Sequence, residues 1–179
     1  MPVAETASTF NEVLTVSAAI DAAESKDEKL ALIESQLSDA CQIICDIYSR
    51  FLFESSVFEA RPQEFLDADR LCQLMLEAQK KAYGDGLDQS CLHPYMWLCK
   101  GHYYSGSLSF YNFPYAFGGL FARGLYAKYQ QEGKDFVPLY KKMLHATSVT
   151  CVEDTARIAG IDLTDKAFWR RGSSPWPRD

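Results

Sequence analysis

Three observations predict an all-α fold. Apolar residues recur at steps of three and four through most of the 179 residues, which is the period of a helix with one buried face. No stretch sustains the one-in-two alternation of a half-buried strand. The breaks between periodic segments fall at capping, glycine and proline signals. With 47% apolar residues, the length suits one domain with a substantial core. The expected architecture is a multi-helix bundle over residues 1–171, with a loosely held tail at 172–179 carrying Ser173, Ser174, Pro175 and Pro177.

The first helical pattern begins almost at once. Ala4, Phe10, Val13, Leu14 and Ser17 share a side that Ala18, Ala19 and Ile20 continue. Glu5 and Glu12 project from one side two turns apart. Such a start fits either a frayed N-terminus or the back part of something longer. Ser25 and Glu28 form a capping box opening the second helix. Leu30, Ile33, Leu37, Ala40, Ile44, Ile47 and Phe51 then predict a long amphipathic helix to Phe58 with this stripe as its core face. Arg61-Pro62 ends it, and Pro62 is expected in the first turn of the next helix. That helix runs through Phe65, Ala68, Cys72, Met75 and Ala82 until Gly84-Asp85-Gly86 stops it. The short link makes the two antiparallel neighbours. A shorter helix is expected over Asp88–Gly101, then one over Tyr115–Gln131, where Gly118, Gly119 and Gly124 permit close approach. Phe136, Leu139, Tyr140, Met143 and Leu144 mark another. Thr150 and Glu153 read as a second capping box, Gly160 as a C-cap, and a last short helix ends at Trp169.

A net charge of −6 with only two short basic pairs, Lys80-Lys81 and Arg170-Arg171, argues against nucleic-acid binding. No apolar run is long enough to span a bilayer and no signal-type segment opens the chain, so a cytoplasmic protein is expected. The six cysteines sit at irregular spacings and are expected as reduced thiols. Cys41 and Cys45, one turn apart, have no second pair to complete a metal site and are expected in the core. His93, His102 and His145 lack a partner at helical ligand spacing.

The segment with chemical promise is His102–Gly118, which mixes a histidine, small residues, a proline, tyrosines and phenylalanines. A Gly/Ser stretch with His102 on one side and Tyr111 and Tyr115 on the other suits a loop gripping a substrate backbone. Proton donors there can face developing negative charge. The alternative is an aromatic turn between buried helices, with Tyr111 and Tyr115 as core tyrosines.

His102-Tyr103-Tyr104 with Phe110-Tyr111-Asn112-Phe113-Pro114-Tyr115-Ala116-Phe117-Gly118 resembles the C-terminal catalytic segment of the oligoendopeptidase F family, zinc metallopeptidases of the thimet-oligopeptidase-like class. Ala4 to Glu12 resembles that family's third-ligand helix. Phe51-Leu52-Phe53-Glu54, Tyr83-Gly84-Asp85, His93 to Trp97, Gly160 to Leu163 and Phe168-Trp169 follow in the family's order. The resemblance implies part of a zincin-like catalytic lobe lining a channel for short peptides. By it, Glu5 is the zinc-binding glutamate and Glu12 supports the site from behind. His102 and Tyr115 stabilise the tetrahedral oxyanion, Tyr111 is a further helper, and Gly101–Ser109 is the loop meeting the substrate backbone.

The departure is as informative. No H-E-x-x-H occurs in this chain, so two zinc-binding histidines and the base that activates water are missing. The expectation is a fragment of a zinc oligoendopeptidase that binds no zinc and is inactive by itself, acting on short peptides only with a missing N-terminal half. The second reading is a non-catalytic interaction module that self-associates, as a homo-oligomer, through the face the absent H-E-x-x-H helix leaves uncovered.

Overall fold

The computed structural model describes residues 2–173, and the side chains of 172 and 173 are left undescribed. Eight α-helices follow one another without a strand among the described residues: α1 (Thr6–Ala22), α2 (Lys26–Cys41), α3 (Ile47–Ala60), α4 (Ala68–Tyr83), α5 (Phe113–Glu132), α6 (Phe136–Ala146), α7 (Val152–Ile158) and α8 (Lys166–Ser173). A π-turn, Gln42–Asp46, joins α2 to α3, and 3-10 turns occupy Gln89–Cys91, Met96–Cys99, Gly101–Tyr104 and Gly133–Asp135. The predicted all-α class is the class observed. Of the expected tail, Gly172 and Ser173 belong to α8, and residues 174–179 lie outside the described residues.

The helices fall into two compact units, the division passing inside α2 and α5. One unit is formed by the chain before Gln36 and after Ala116. Its core gathers Phe10 of α1, Phe121, Ala122 and Leu125 of α5, Phe136 and Met143 of α6, Ala156 of α7 and Phe168 of α8. Phe121 is fully buried and meets the rings of Phe117 at 5.6 Å and Phe168 at 5.7 Å. A Cβ at Gly124 would land on the Phe168 ring, so glycine there is what lets α8 lie against α5. Gly160 closes α7 at φ +69, a left-handed conformation glycine adopts without strain, while the Ile161 N–H donates to Ala156 O at 3.0 Å.

Tyr140 of this unit stacks on Phe10 at 4.4 Å, yet its buried hydroxyl has no hydrogen-bond partner. Burial pushes that hydroxyl up to about 12. An unfolded tyrosine ionises near 10, so between pH 10 and 12 the folded chain holds a proton the unfolded chain has lost, and stability falls as pH rises through that window. Tyr140→Phe is expected to leave neutral-pH stability unchanged or raise it by up to about 1 kcal/mol, because an orphaned polar group is removed. It should also flatten, without abolishing, the alkaline loss, since burial raises Tyr83 and Tyr103 as well. Urea melts at pH 8 and at pH 11 check both parts.

The second unit runs from Gln36 to Ala116. Phe53, Leu74, Met75 and Ala78 make its core where α3 packs on α4, with Met96, Trp97 and Tyr103 against it. Several local expectations need correction here and elsewhere. Pro62 does not open a helix: α4 starts six residues later, because Asp67 caps it by accepting the Arg70 N–H at 2.8 Å. Asp88–Gly101 forms separate 3-10 turns, not one helix. Thr150 does not make a capping box with Glu153. Its hydroxyl serves Ala146 O at 2.9 Å and Thr155 Oγ1 at 2.8 Å, and Cys151 takes the N-cap position without a side-chain capping bond, its thiol donating to Asp154 Oδ2 at 3.2 Å. Half of the Ser25–Glu28 box forms, Ser25 Oγ accepting the Glu28 N–H at 3.1 Å, while Glu28 reaches one residue further back and accepts the Glu24 N–H at 3.0 Å.

The largest correction concerns the long helix. Its expected core stripe faces solvent at Leu37 (58% exposed), Ile44 (52%) and Phe51 (38%), and Cys41 is exposed with Cys45 half-buried. Ile47 of that stripe is buried as expected, but the other buried positions of α3 are Ser49, Arg50, Phe53 and Glu54, and Phe53 is the one that packs with Leu74, Met75 and Ala78 of α4. All six cysteines are free thiols.

Candidate functional site

Helix α3 is the support on which the site is built. At its start the Arg50 guanidinium pairs with Asp46 one turn earlier, and both side chains are largely buried. The Tyr103 hydroxyl donates to Arg50 O at 3.2 Å. Tyr103 also lies 5.2 Å from the Phe53 ring, and burial holds its hydroxyl above the ordinary tyrosine range. These contacts pin the Gly101–Tyr104 turn, which carries His102, to α3.

The following loop is wound from short turns. Leu108 N–H donates to Ser105 O at 3.0 Å and Tyr111 N–H to Leu108 O at 3.1 Å. Phe110 has φ +57, the one non-glycine residue with positive φ among those described. A bulky residue pays about 1–2 kcal/mol for that conformation, which persists only where the surroundings hold it. Here they do. Glu54 Oε1 accepts the Phe110 N–H at 2.8 Å, and the Phe110 ring stacks on Phe58 at 5.2 Å and meets Phe51 at 5.8 Å. Glu54 Oε2 accepts from Asn112 Nδ2 at 2.9 Å, and Asn112 is 1% exposed. The chain then enters α5 through buried Pro114, whose missing N–H costs nothing in a first helical turn.

Tyr111, before α5, and Tyr115, in its first turn, are thereby set against His102. The His102 ring lies 5.4 Å from Tyr111 and 6.4 Å from Tyr115, and the two tyrosines meet edge-on at 5.7 Å. All three are half-buried, so the cluster is neither sealed in a core nor spread over the surface. The cluster brings an imidazole and two phenols, groups able to donate hydrogen bonds, ring against ring in one place.

Glu5 and Glu12 belong to the other unit. Glu5 stands at the N-cap of α1, half-buried. The Ser8 hydroxyl lies 3.0 Å from its carbonyl oxygen and 3.3 Å from Oε2. Its backbone is pressed against α5: a Cβ at Gly118 would meet the Glu5 carbonyl carbon and Cβ at 3.1 Å. Thr6 beside it is fully buried with a hydroxyl that has no partner. Glu12 is exposed and near Arg123, whose charge it favours against the opposing effect of burial. Among the described residues no group of three or more His, Cys, Asp or Glu is placed to hold a metal ion. The described residues therefore do not by themselves fit a zinc centre. No helix of the described residues is long and apolar enough to cross a membrane.

Of the residues singled out in the sequence, His102, Tyr111 and Tyr115 are brought together. Sequence reasoning missed Glu54 and Asn112. A signal for Glu54 existed: it follows Arg50 by four residues and Phe53 by one, so it sits on the face of α3 that also carries apolar residues, where an acid needs partners.

These features define a helical protein with a histidine–tyrosine cluster beside a strained loop. Compared with known proteins, the chain is similar to Oligopeptidase PepF of Bacillus subtilis (strain 168), 28% identical over 163 residues. The match takes in 90% of this chain and 24% of that protein, so the chain spans about a quarter of the length of the curated relative it matches. No family model matches the chain, and no solved structure does.

Proposed function

We propose that this chain is the peptide-holding, oxyanion-stabilising portion of a PepF-like oligopeptidase. His102 and Tyr115 donate to the oxygen of the scissile carbonyl as it becomes negative, and Tyr111 backs them. Donors placed for the tetrahedral species favour it over the ground-state carbonyl, and that difference lowers the barrier. The single observation carrying the reading is the convergence of His102, Tyr111 and Tyr115 within 6.4 Å in a half-buried setting. The similarity to PepF over most of the chain supports it. In this reading Glu5 contributes one ligand to a metal held mainly by residues outside this chain, with Glu12 behind it.

The test replaces the matching quarter of PepF by this chain and assays a quenched fluorescent peptide. The chimera is expected to turn over, while the 179-residue chain alone neither hydrolyses the peptide nor retains stoichiometric zinc. A properly folded chimera without turnover, or a lone chain with both zinc and turnover, overturns the reading.

A second reading is favoured by the exposed stripe on the 36–60 segment. Leu37, Ile44, Phe51 and Phe58 follow at seven-residue steps, joined by Tyr48, and all are exposed. Exposed apolar side chains in such number are complemented by the same surface on a second copy of this chain. The chain is expected to dimerise, and Ile44→Glu to return it to monomer. Light scattering that finds only monomer at high concentration removes this reading.

A further inference from the structure

The buried carboxylate of Glu54 turns both its oxygens to the loop that carries the tyrosines. It is 6% exposed, and each of its oxygens accepts one bond from that loop, from the Phe110 N–H at 2.8 Å and from Asn112 Nδ2 at 2.9 Å. The two donors bracket Tyr111. Phe110 is also the residue held at positive φ, and Tyr115 N–H donates back to Asn112 O at 3.3 Å. A bidentate acceptor on a rigid helix thus fixes the backbone before Tyr111 and the side chain after it. A carboxylate accepting two bonds in a poorly solvated place holds them more tightly than a neutral group would. From these contacts we propose that Glu54 is a positioning residue, whose two oxygens hold the Phe110–Asn112 turn so that Tyr111 and Tyr115 stand against His102. The importance of Glu54 for peptide hydrolysis rests on the reading given above, whereas the clamp itself does not.

The clamp is tested on the full 179-residue chain by NMR. In Glu54→Gln the Phe110 N–H keeps a neutral acceptor, and its hydrogen exchange is expected to quicken by roughly tenfold, while amides in the α3–α4 core, at Phe53 and Leu74, change less than twofold. In Glu54→Ala both acceptors are gone, and the ring contacts of His102 with Tyr111 and Tyr115 should be lost. Glu54→Gln combined with Asn112→Asp reverses the polarity of the bond to position 112 while keeping a carboxylate in the pair, so the ring contacts should stand as in the unaltered chain, with Phe110 exchange no faster than in Glu54→Gln alone. A Glu54→Ala chain that keeps the His102–Tyr111 contact overturns the proposal. If that variant does not fold, Glu54→Gln decides: Phe110 exchange that is unchanged, or that quickens only in step with Phe53 and Leu74, overturns it. In the PepF chimera, Glu54→Ala is expected to lower kcat at least tenfold with KM within twofold. An inactive chimera of the unaltered chain counts against the peptidase reading and leaves the NMR result standing.

Discussion

Changing Tyr115 to Phe in the PepF chimera is expected to lower kcat by roughly 10²–10³-fold, with little change in KM. The phenyl ring keeps the edge-on packing against Tyr111 and removes only the hydroxyl, so substrate binding is spared and stabilisation of the transition state is lost. His102→Ala should give a loss of similar size, and the double variant less than the product of the two, because in the proposed role both donors serve one oxygen. Steady-state kinetics on a quenched peptide measures all three. A Tyr115→Phe chimera with unaltered kcat would mean that the tyrosine is packing and not chemistry, which is the bland reading of the same residue.

Phe121→Ala should cost about 3–5 kcal/mol, the range for truncating a buried aromatic. Phe121 is fully buried on α5 and touches the rings of Phe117, Phe168 and Trp169, so the cavity opens among large flat side chains that cannot collapse to fill it. That loss takes a large share of the 5–15 kcal/mol that holds an ordinary domain together. Urea denaturation is expected to show a much lower midpoint. A shift worth less than about 1 kcal/mol would show that the aromatic cluster repacks freely. Because Phe121 lies in the unit that excludes residues 36–116, the hydrogen-exchange protection of Leu74 is an informative companion measurement.

Much of the helical framework was legible because its signals are local. Gly84 and Gly160 were expected as stops and sit at φ +58 and +69. Ser25 was expected to cap α2 and accepts the Glu28 N–H, although Glu28 returns its bond to Glu24 and not to Ser25. Signals failed where a competing bond was available. Thr150 could cap α7 but bonds Ala146 and Thr155 instead, and Asp67 took the start of α4 from Pro62. The long helix misled for a different reason. Periodicity reveals that a helix has an apolar face; it does not reveal whether that face meets a neighbour, and α4 packs against Phe53, which lies outside the expected stripe. At the candidate site, His102, Tyr111 and Tyr115 stood out because their residue types carry chemistry. Glu54 and Asn112 did not, since the bond between them joins positions 58 apart.

The order of amino acids by itself determined the helical class, most helix stops, and the grouping of an imidazole with two phenols in one short segment. All of these depend on interactions within a few residues along the chain. Only the tertiary structure decided that the three rings converge, that Phe110 is held in a left-handed conformation, and that a carboxylate on α3 holds it there. The reason is physical: a buried charge must find its donors wherever folding brings them, and those donors came from a loop distant along the chain.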